Sequence, residues 1–215
     1  MLNKSKGNMY DFVTHTWNPI KGKCMHDCKY CYMKKWKQLP LRLDENEMQT
    51  DLGKGNIIFV GSSCDMFAED VYPAWIERVL DYCSRFDNTY LFQSKNPEAF
   101  TCCDFLFPED TTLGTTIESN RNYPELSKAP SIKDRARAMI DAKAMGYKIM
   151  ITIEPILDFD VDDLVRIIKY IEPDWVNLGA DSGGHNLPEP SKEKLLELID
   201  RIDIRQKKNL KRLLK

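Results

Sequence analysis

Six short apolar and β-branched runs alternate along the chain with stretches whose apolar positions recur at helical spacing. The runs are Met9–Thr14, Asn56–Gly61, Thr89–Gln93, Thr111–Ile117, Lys148–Ile153 and Asp174–Leu178. Most are almost continuously apolar, as strands must be when both faces of a sheet are covered. Alternation of such strands with helices predicts βα units and a parallel sheet. The helical stretches carry their own start and stop signals. Tyr72, Trp75, Ile76, Val79, Leu80 and Cys83 share one face, with Pro73 in the first turn. Ser131 is placed to cap a helix buried along Ile132, Ala136, Met139 and Ile140, and Gly146 to end it. Asp160 opens a helix with Val161, Leu164, Val165, Ile168 and Ile171 inward, and Ser191 opens one that buries Leu195, Leu198, Ile199 and Ile202. Periodicity alone leaves an incomplete barrel and an open doubly wound sheet equally open, since both use the same βαβ unit.

No linker or repeat divides the chain, which predicts one core domain over residues 1–203. The basic stretch 204–215 reads as a frayed or helical tail. A length of 215 residues suffices for a single core. A hydrophobic share of 42%, a charged share of 30% and a net charge of −2 describe an ordinary globular protein. That balance gives no whole-molecule argument for binding nucleic acid or membrane, and leaves only a local patch open. The first ten residues lack the apolar core of a signal peptide, and no run approaches the roughly 18 apolar residues of a membrane span. A cytoplasmic location is expected.

Seven cysteines change the picture. In a reducing compartment they are thiols or metal ligands rather than disulfides. Three of them, Cys24, Cys28 and Cys31, stand as Cys-x3-Cys-x2-Cys after the first predicted strand, leading into a predicted helix over Lys29–Gln38. Three neighbouring thiolates can grip three irons of a cubane [4Fe–4S] cluster and leave the fourth open to a small molecule. Zinc held by the same thiols with His15 or His26 is the competing metal reading, although no second ligand pair follows at zinc-finger spacing. A redox pair of Cys28 and Cys31 would leave Cys24 idle.

This spacing, with the aromatic Tyr30 before the last cysteine, resembles the signature of the radical S-adenosylmethionine (SAM) superfamily. Further stretches resemble a phage-associated three-cysteine-motif family of unsettled function, distantly similar to spore photoproduct lyase. They are Thr16–Cys24, Gly61–Phe67, Gln93–Pro97, Gly114–Asn120 and Ile153–Ile156. The resemblance implies an α/β fold, a partial (β/α)6 TIM-like barrel in a single domain. It also implies a [4Fe–4S] cluster on the three cysteines, S-adenosyl-L-methionine on the open iron, and reductive cleavage to a 5′-deoxyadenosyl radical that abstracts hydrogen. An external electron donor is implied as partner. The substrate is expected to be a nucleobase or modified DNA, with loops or a protein partner completing a small site.

Ligands of parallel βα folds sit at the carboxyl ends of the strands. Ser62, Ser63 and Asp65 stand where many radical SAM enzymes carry Gly-Gly-Glu for the SAM amino group; this chain lacks that glutamate. Lys95 is a candidate for the SAM carboxylate, and Glu118, Ser119 and Asn120 for its ribose or carboxylate. Glu154 ends an apolar strand, so its carboxylate should face the barrel mouth or a cation. Asp181, with Ser182 and His185, lies in a glycine-rich loop suited to binding or covering substrate. Cys64 is a candidate hydrogen-atom relay or a buried structural thiol. The four tryptophans, Trp17, Trp36, Trp75 and Trp175, read as core or lining residues rather than base-stacking platforms. Rival classes are a non-catalytic module stabilised by zinc or an iron–sulfur cluster, and a hydrolase built on Glu154 and Asp181, which would leave the cysteines unused.

Overall fold

The computed structural model describes residues 1–215. The chain opens with β1 (Asn3–Lys4), β2 (His15–Trp17) and a small antiparallel hairpin of β3 (Ile20–Lys21) and β4 (Arg42–Leu43). There follow β5 (Ile57–Val60), α1 (Pro73–Cys83), β6 (Thr89–Gln93), α2 (Ala99–Cys102), β7 (Thr111–Thr116) and α3 (Ile132–Ala144). The last elements are β8 (Lys148–Ile153), α4 (Val161–Ile171), β9 (Trp175–Leu178), α5 (Lys192–Arg201) and β10 (Ile204–Gln206). Eight strands make one sheet in the order β1-β2-β5-β6-β7-β8-β9-β10. All neighbours in it are parallel except β1 and β2. The architecture is a single mostly parallel α/β sheet, one strand richer at each edge than the six-stranded pattern expected.

Successive residues of a strand point to opposite faces, and the two faces are filled differently. Ile58, Val60, Tyr90, Phe92, Ile149, Ile151 and Ile153 join the apolar stripes of the helices in the main core. Phe59, Leu91 and Met150 point the other way and form a small second core with Tyr10 and Val13. This second core explains why Met9–Thr14 is not a strand. Its apolar residues fill the otherwise bare sheet face, with Tyr10 stacked on Phe12 at 5.5 Å and Phe12 edge-on to Trp175 at 5.5 Å. Packing of these rings outweighs a few ladder hydrogen bonds, and the residue-for-residue pairing with β5 begins at His15.

The caps at Ser131 and Ser191 form, accepting from the backbone N–H of Asp134 at 3.2 Å and of Lys194 at 3.4 Å. The carboxylate of Asp160 instead binds Arg121, and Asn120 accepts the Asp160 N–H at 2.8 Å. The stretch 204–215 is no frayed tail. Ile204–Gln206 pairs with β9, and a 3-10 helix follows over Lys208–Arg212, with Leu210 buried. Lys29–Gln38 is not an α-helix either, only a single 3-10 turn over Tyr32–Lys35. No helix is long and apolar enough to cross a membrane.

Candidate cofactor and active site

The three clustered cysteines lie in the excursion between β3 and β4. Its neck is narrow: a side chain on Gly22 would meet the Pro40 carbonyl oxygen at 2.5 Å and Leu41 Cα at 2.6 Å, and the φ of Gly22 is +129°. Gly22→Ala should therefore force the neck apart and cost about 1–3 kcal/mol of stability. A denaturant titration checks this, and an unchanged midpoint would show the neck to be free to widen.

The loop is anchored at its middle by His26, whose Nε2 lies 2.9 Å from Asp65 Oδ2. Asp65 is buried; burial alone would raise its carboxyl, but His26 and the backbone N–H of Lys95, 2.7 Å away, hold it lowered. Asp65 thus ties the cysteine loop to the ends of β5 and β6. Cys31 stands at the N-terminal end of the 3-10 turn, where amides have no intrahelical acceptor, and the N–H groups of Met33 and Lys34 serve its sulfur. The N–H groups of His26 and Asp65 serve Cys24 in the same way. Burial nonetheless raises both thiols, Cys24 to about 12 with help from the Asp65 carboxylate. Protons leave such thiols when cations take their place.

The donor set therefore fits an iron–sulfur cluster: three thiols of one loop, none in a disulfide, two of them served by backbone N–H groups. No three His, Cys, Asp or Glu side chains crowd together as around a single ion; a cubane spreads its thiolates over separate irons.

Cys28 and Cys31 open onto a cavity of about 660 Å³. The cavity lies at the carboxyl ends of the parallel strands, on the face filled lower down by Tyr10 and Phe59. Asn18 follows β2, Ser62 follows β5, Gln93 ends β6 and Lys95 follows it, and Thr116 ends β7. Glu154 follows β8, and Ala180, Asp181 and Ser182 follow β9. Residues 4–6 and 8–10, His185 and Lys207 also line it, with Tyr10 Oη donating to Gln93 Oε1 at 2.7 Å.

One wall is organised by Glu118, which is 3% exposed. It accepts from Tyr30 Oη at 2.6 Å, from Arg135 Nη1 at 2.8 Å and from the Lys95 ammonium. Burial alone would raise its carboxyl, but the charges of Lys95 and Arg135 outweigh that and hold it at about 2. Two cations against one anion leave a net positive charge, and Lys95 is the member that reaches the cavity. Glu118 itself faces a smaller recess of about 340 Å³ on the far side of Tyr30.

A second hub is Glu154. It accepts from Asn8 Nδ2 at 2.7 Å, Lys207 Nζ at 2.6 Å and Asn209 Nδ2 at 2.8 Å. Any side chain on Gly179 would come within 2.6 Å of Glu154 Oε1, so the absence of one there makes room for the carboxylate. Asp181 is occupied within its own loop. It pairs with His185 Nδ1 at 2.7 Å and accepts from the N–H groups of Gly183 at 3.0 Å and His185 at 2.6 Å, contacts that overcome burial and keep its carboxyl lowered.

Of the residues singled out in the sequence, the structure gathers Cys28, Cys31, Tyr30, Ser62, Lys95, Glu154, Asp181, Ser182 and His185 around one cavity. Cys24, Ser63, Asp65, Glu118, Ser119, Asn120 and Cys64 lie outside its lining. Ser63 donates its N–H to Asn18 at 2.8 Å. Ser119 Oγ donates to the Asp158 carbonyl at 2.7 Å, joining the loops after β7 and β8. Cys64, 4% exposed, belongs to the main core. Trp17 is core, but Trp36 is 58% exposed and neither core nor lining. Sequence reasoning passed over Asn8, Gln93, Thr116, Arg135, Lys207 and Asn209. The strand-end rule alone could have found Gln93 and Thr116.

No family model matches the chain, and no curated protein matches it in sequence. Among solved structures it is similar to spore photoproduct lyase complexed with dinucleoside spore photoproduct, with a TM-score of 0.62 and 13% identity. That match covers 91% of this chain and 62% of the lyase. A radical SAM methyltransferase from Sphaerobacter thermophilus matches with a TM-score of 0.61 and 13% identity over 94% of this chain and 69% of that one. Streptococcus suis SuiB bound to S-adenosylmethionine matches with a TM-score of 0.59 and 11% identity over 89% and 49%. The chain has the fold of radical SAM enzymes. It spans less than two thirds of the length of the lyase and about half that of SuiB.

Proposed function

We propose that this protein is a radical SAM enzyme in which Cys24, Cys28 and Cys31 carry a [4Fe–4S] cluster. The observation that carries the reading is that Cys28 and Cys31 open onto the same cavity as the carboxyl ends of seven parallel strands. When bound, the cluster and SAM together supply one-electron cleavage to a 5′-deoxyadenosyl radical. The chain's own residues bind, orient and shield. Lys95, the member of the positively charged Glu118 network that reaches the cavity, is suited to the SAM carboxylate. Ser62 offers a hydroxyl and the Tyr30 ring, 5.4 Å from the Lys95 ammonium, an apolar face.

Glu154, held by Asn8, Lys207 and Asn209, keeps the wall opposite in one position. Residues 4–10 and the Asp181–His185 loop flank the cavity and limit water around the reacting atoms. Cys64 does not reach the cavity, and we assign it to packing rather than hydrogen relay. The substrate that would give up hydrogen is a nucleobase or modified DNA, a reading supported by the dinucleoside photoproduct bound to spore photoproduct lyase on the same fold. The electron comes from an external donor.

Protein reconstituted anaerobically with iron and sulfide, reduced with dithionite and given SAM should release 5′-deoxyadenosine and methionine. Chromatography of the nucleosides checks this; a protein that takes up only zinc and leaves SAM intact would end the reading.

A further inference from the structure

The cysteine excursion is charged quite unlike the rest of the molecule. Between Lys21 and Leu43 the sequence has seven Lys and Arg residues against one Asp, in a chain of net charge −2. Some of these charges are neutralised within the fold: Lys21 binds Asp44 and Glu47, and Lys34 binds Asp27. Lys35 has no such partner. It stands on the cavity rim together with Lys4 and Lys6 of the N-terminal segment, which are equally free of acidic neighbours. Inside the cavity Lys95 and Lys207 each hold a carboxylate, Glu118 and Glu154, so the lysines without any acidic partner are those at the rim.

Aromatic surface lies beside it. Tyr32 is on the rim, 49% exposed, its hydroxyl donating to the Ser62 carbonyl at 2.8 Å. Trp36, 58% exposed, meets Tyr32 edge-on, with centroids 6.2 Å apart and planes at 89°. More than half of the Trp36 surface is thus left to solvent, next in sequence to Lys35 and Lys37. Exposing that much apolar ring costs free energy unless something covers it. A planar, polyanionic partner satisfies both halves of this surface. Phosphates meet the lysines, and an unstacked base covers the indole.

We propose that the rim formed by Lys4, Lys6, Lys35 and Tyr32, with Trp36 beside it on Tyr32, binds single-stranded nucleic acid and leads one nucleotide into the cavity. The proposal rests on the reading of the cavity as the active site and narrows its substrate to a base carried on a strand. A single strand is favoured over a duplex because stacking on Trp36 needs an unpaired base face. It is favoured over an acidic protein because the lysines line the entrance itself, where the reacting molecule passes.

Fluorescence anisotropy of the cluster-loaded protein with a labelled single-stranded oligothymidylate tests this. Trp36→Ala should weaken binding roughly tenfold, and Trp36→Phe should retain most of it, since every aromatic ring offers a stacking face. Replacing Lys4, Lys6 and Lys35 together by Ala should flatten the dependence of log affinity on log salt by about 2, at about 0.7 for each phosphate no longer neutralised. Equal binding by Trp36→Ala and wild type, equal affinity for duplex, or equal competition by polyglutamate would overturn the proposal. So would no binding at all. Release of 5′-deoxyadenosine without any oligonucleotide is scored separately, so a failed rim and a failed radical reading give different results.

Discussion

Single replacement of Cys24, Cys28 or Cys31 by Ala should reduce reconstituted iron to background and abolish 5′-deoxyadenosine formation. Two thiolates cannot hold three irons, and Cys64, although near enough to feel the charges of Cys24 and Cys31, is committed to packing in the main core. The loss should not reflect unfolding. Cys24 and Cys31 are only partly buried, and the loop is held independently by the His26–Asp65 contact and the Gly22 neck. Iron analysis and visible absorption report the cluster, and far-ultraviolet circular dichroism should match wild type. Cys64→Ala is the informative companion: it should keep its iron. Full iron in all three loop variants, or loss of iron from Cys64→Ala, would show that the ligand set is wrongly drawn.

The parts of this fold that sequence reveals are those in which one local pattern decides the outcome. β6 and β8 have the bounds expected from their apolar runs, and α3 and α5 begin at the serines that cap them. The cysteine triplet is similarly local, since its spacing alone brings three thiols onto one loop. Features that depend on distant partners are not visible in this way. Met9–Thr14 has the composition of a strand, yet Tyr10 and Val13 cover a sheet face made by residues far along the chain. The start of the stretch 204–215, Ile204–Gln206, is short and largely polar, and becomes a strand only because β9 offers a free edge. Arg135 looks like any charged helix residue until α3 lays it against Glu118. Asn8, Lys207 and Asn209 come from opposite ends of the chain and meet on Glu154, where Asn8 and Asn209 also share the Ser182 hydroxyl. Trp36 is the reverse case: its size argues for burial, but the excursion that carries it has no core to offer.

Glu118→Gln should lower stability by roughly 3–5 kcal/mol at neutral pH, because it leaves Lys95 and Arg135 close together without their anion. At about 2–4 °C per kcal/mol for a chain of this size, the midpoint of thermal unfolding should fall by about 10 °C. The pH dependence gives an independent check. The carboxyl is held at about 2 in the folded protein against an ordinary value of 4.5. A depressed folded value stabilises above the ordinary one and is lost as pH falls towards the folded one. The contribution is therefore complete above about pH 4.5 and declines between there and pH 2, and the shift corresponds to ~3 kcal/mol. Denaturant titrations of both proteins should give a wide gap at pH 7 and a narrowing one below pH 4.5. A gap constant down to pH 2 would mean that Glu118 acts through shape rather than charge. Because Tyr30 and Lys95 both hang on this carboxylate, the variant should also bind SAM more weakly than the loss of stability alone explains. The same buried charge then fixes the sheet end and aims the cavity wall.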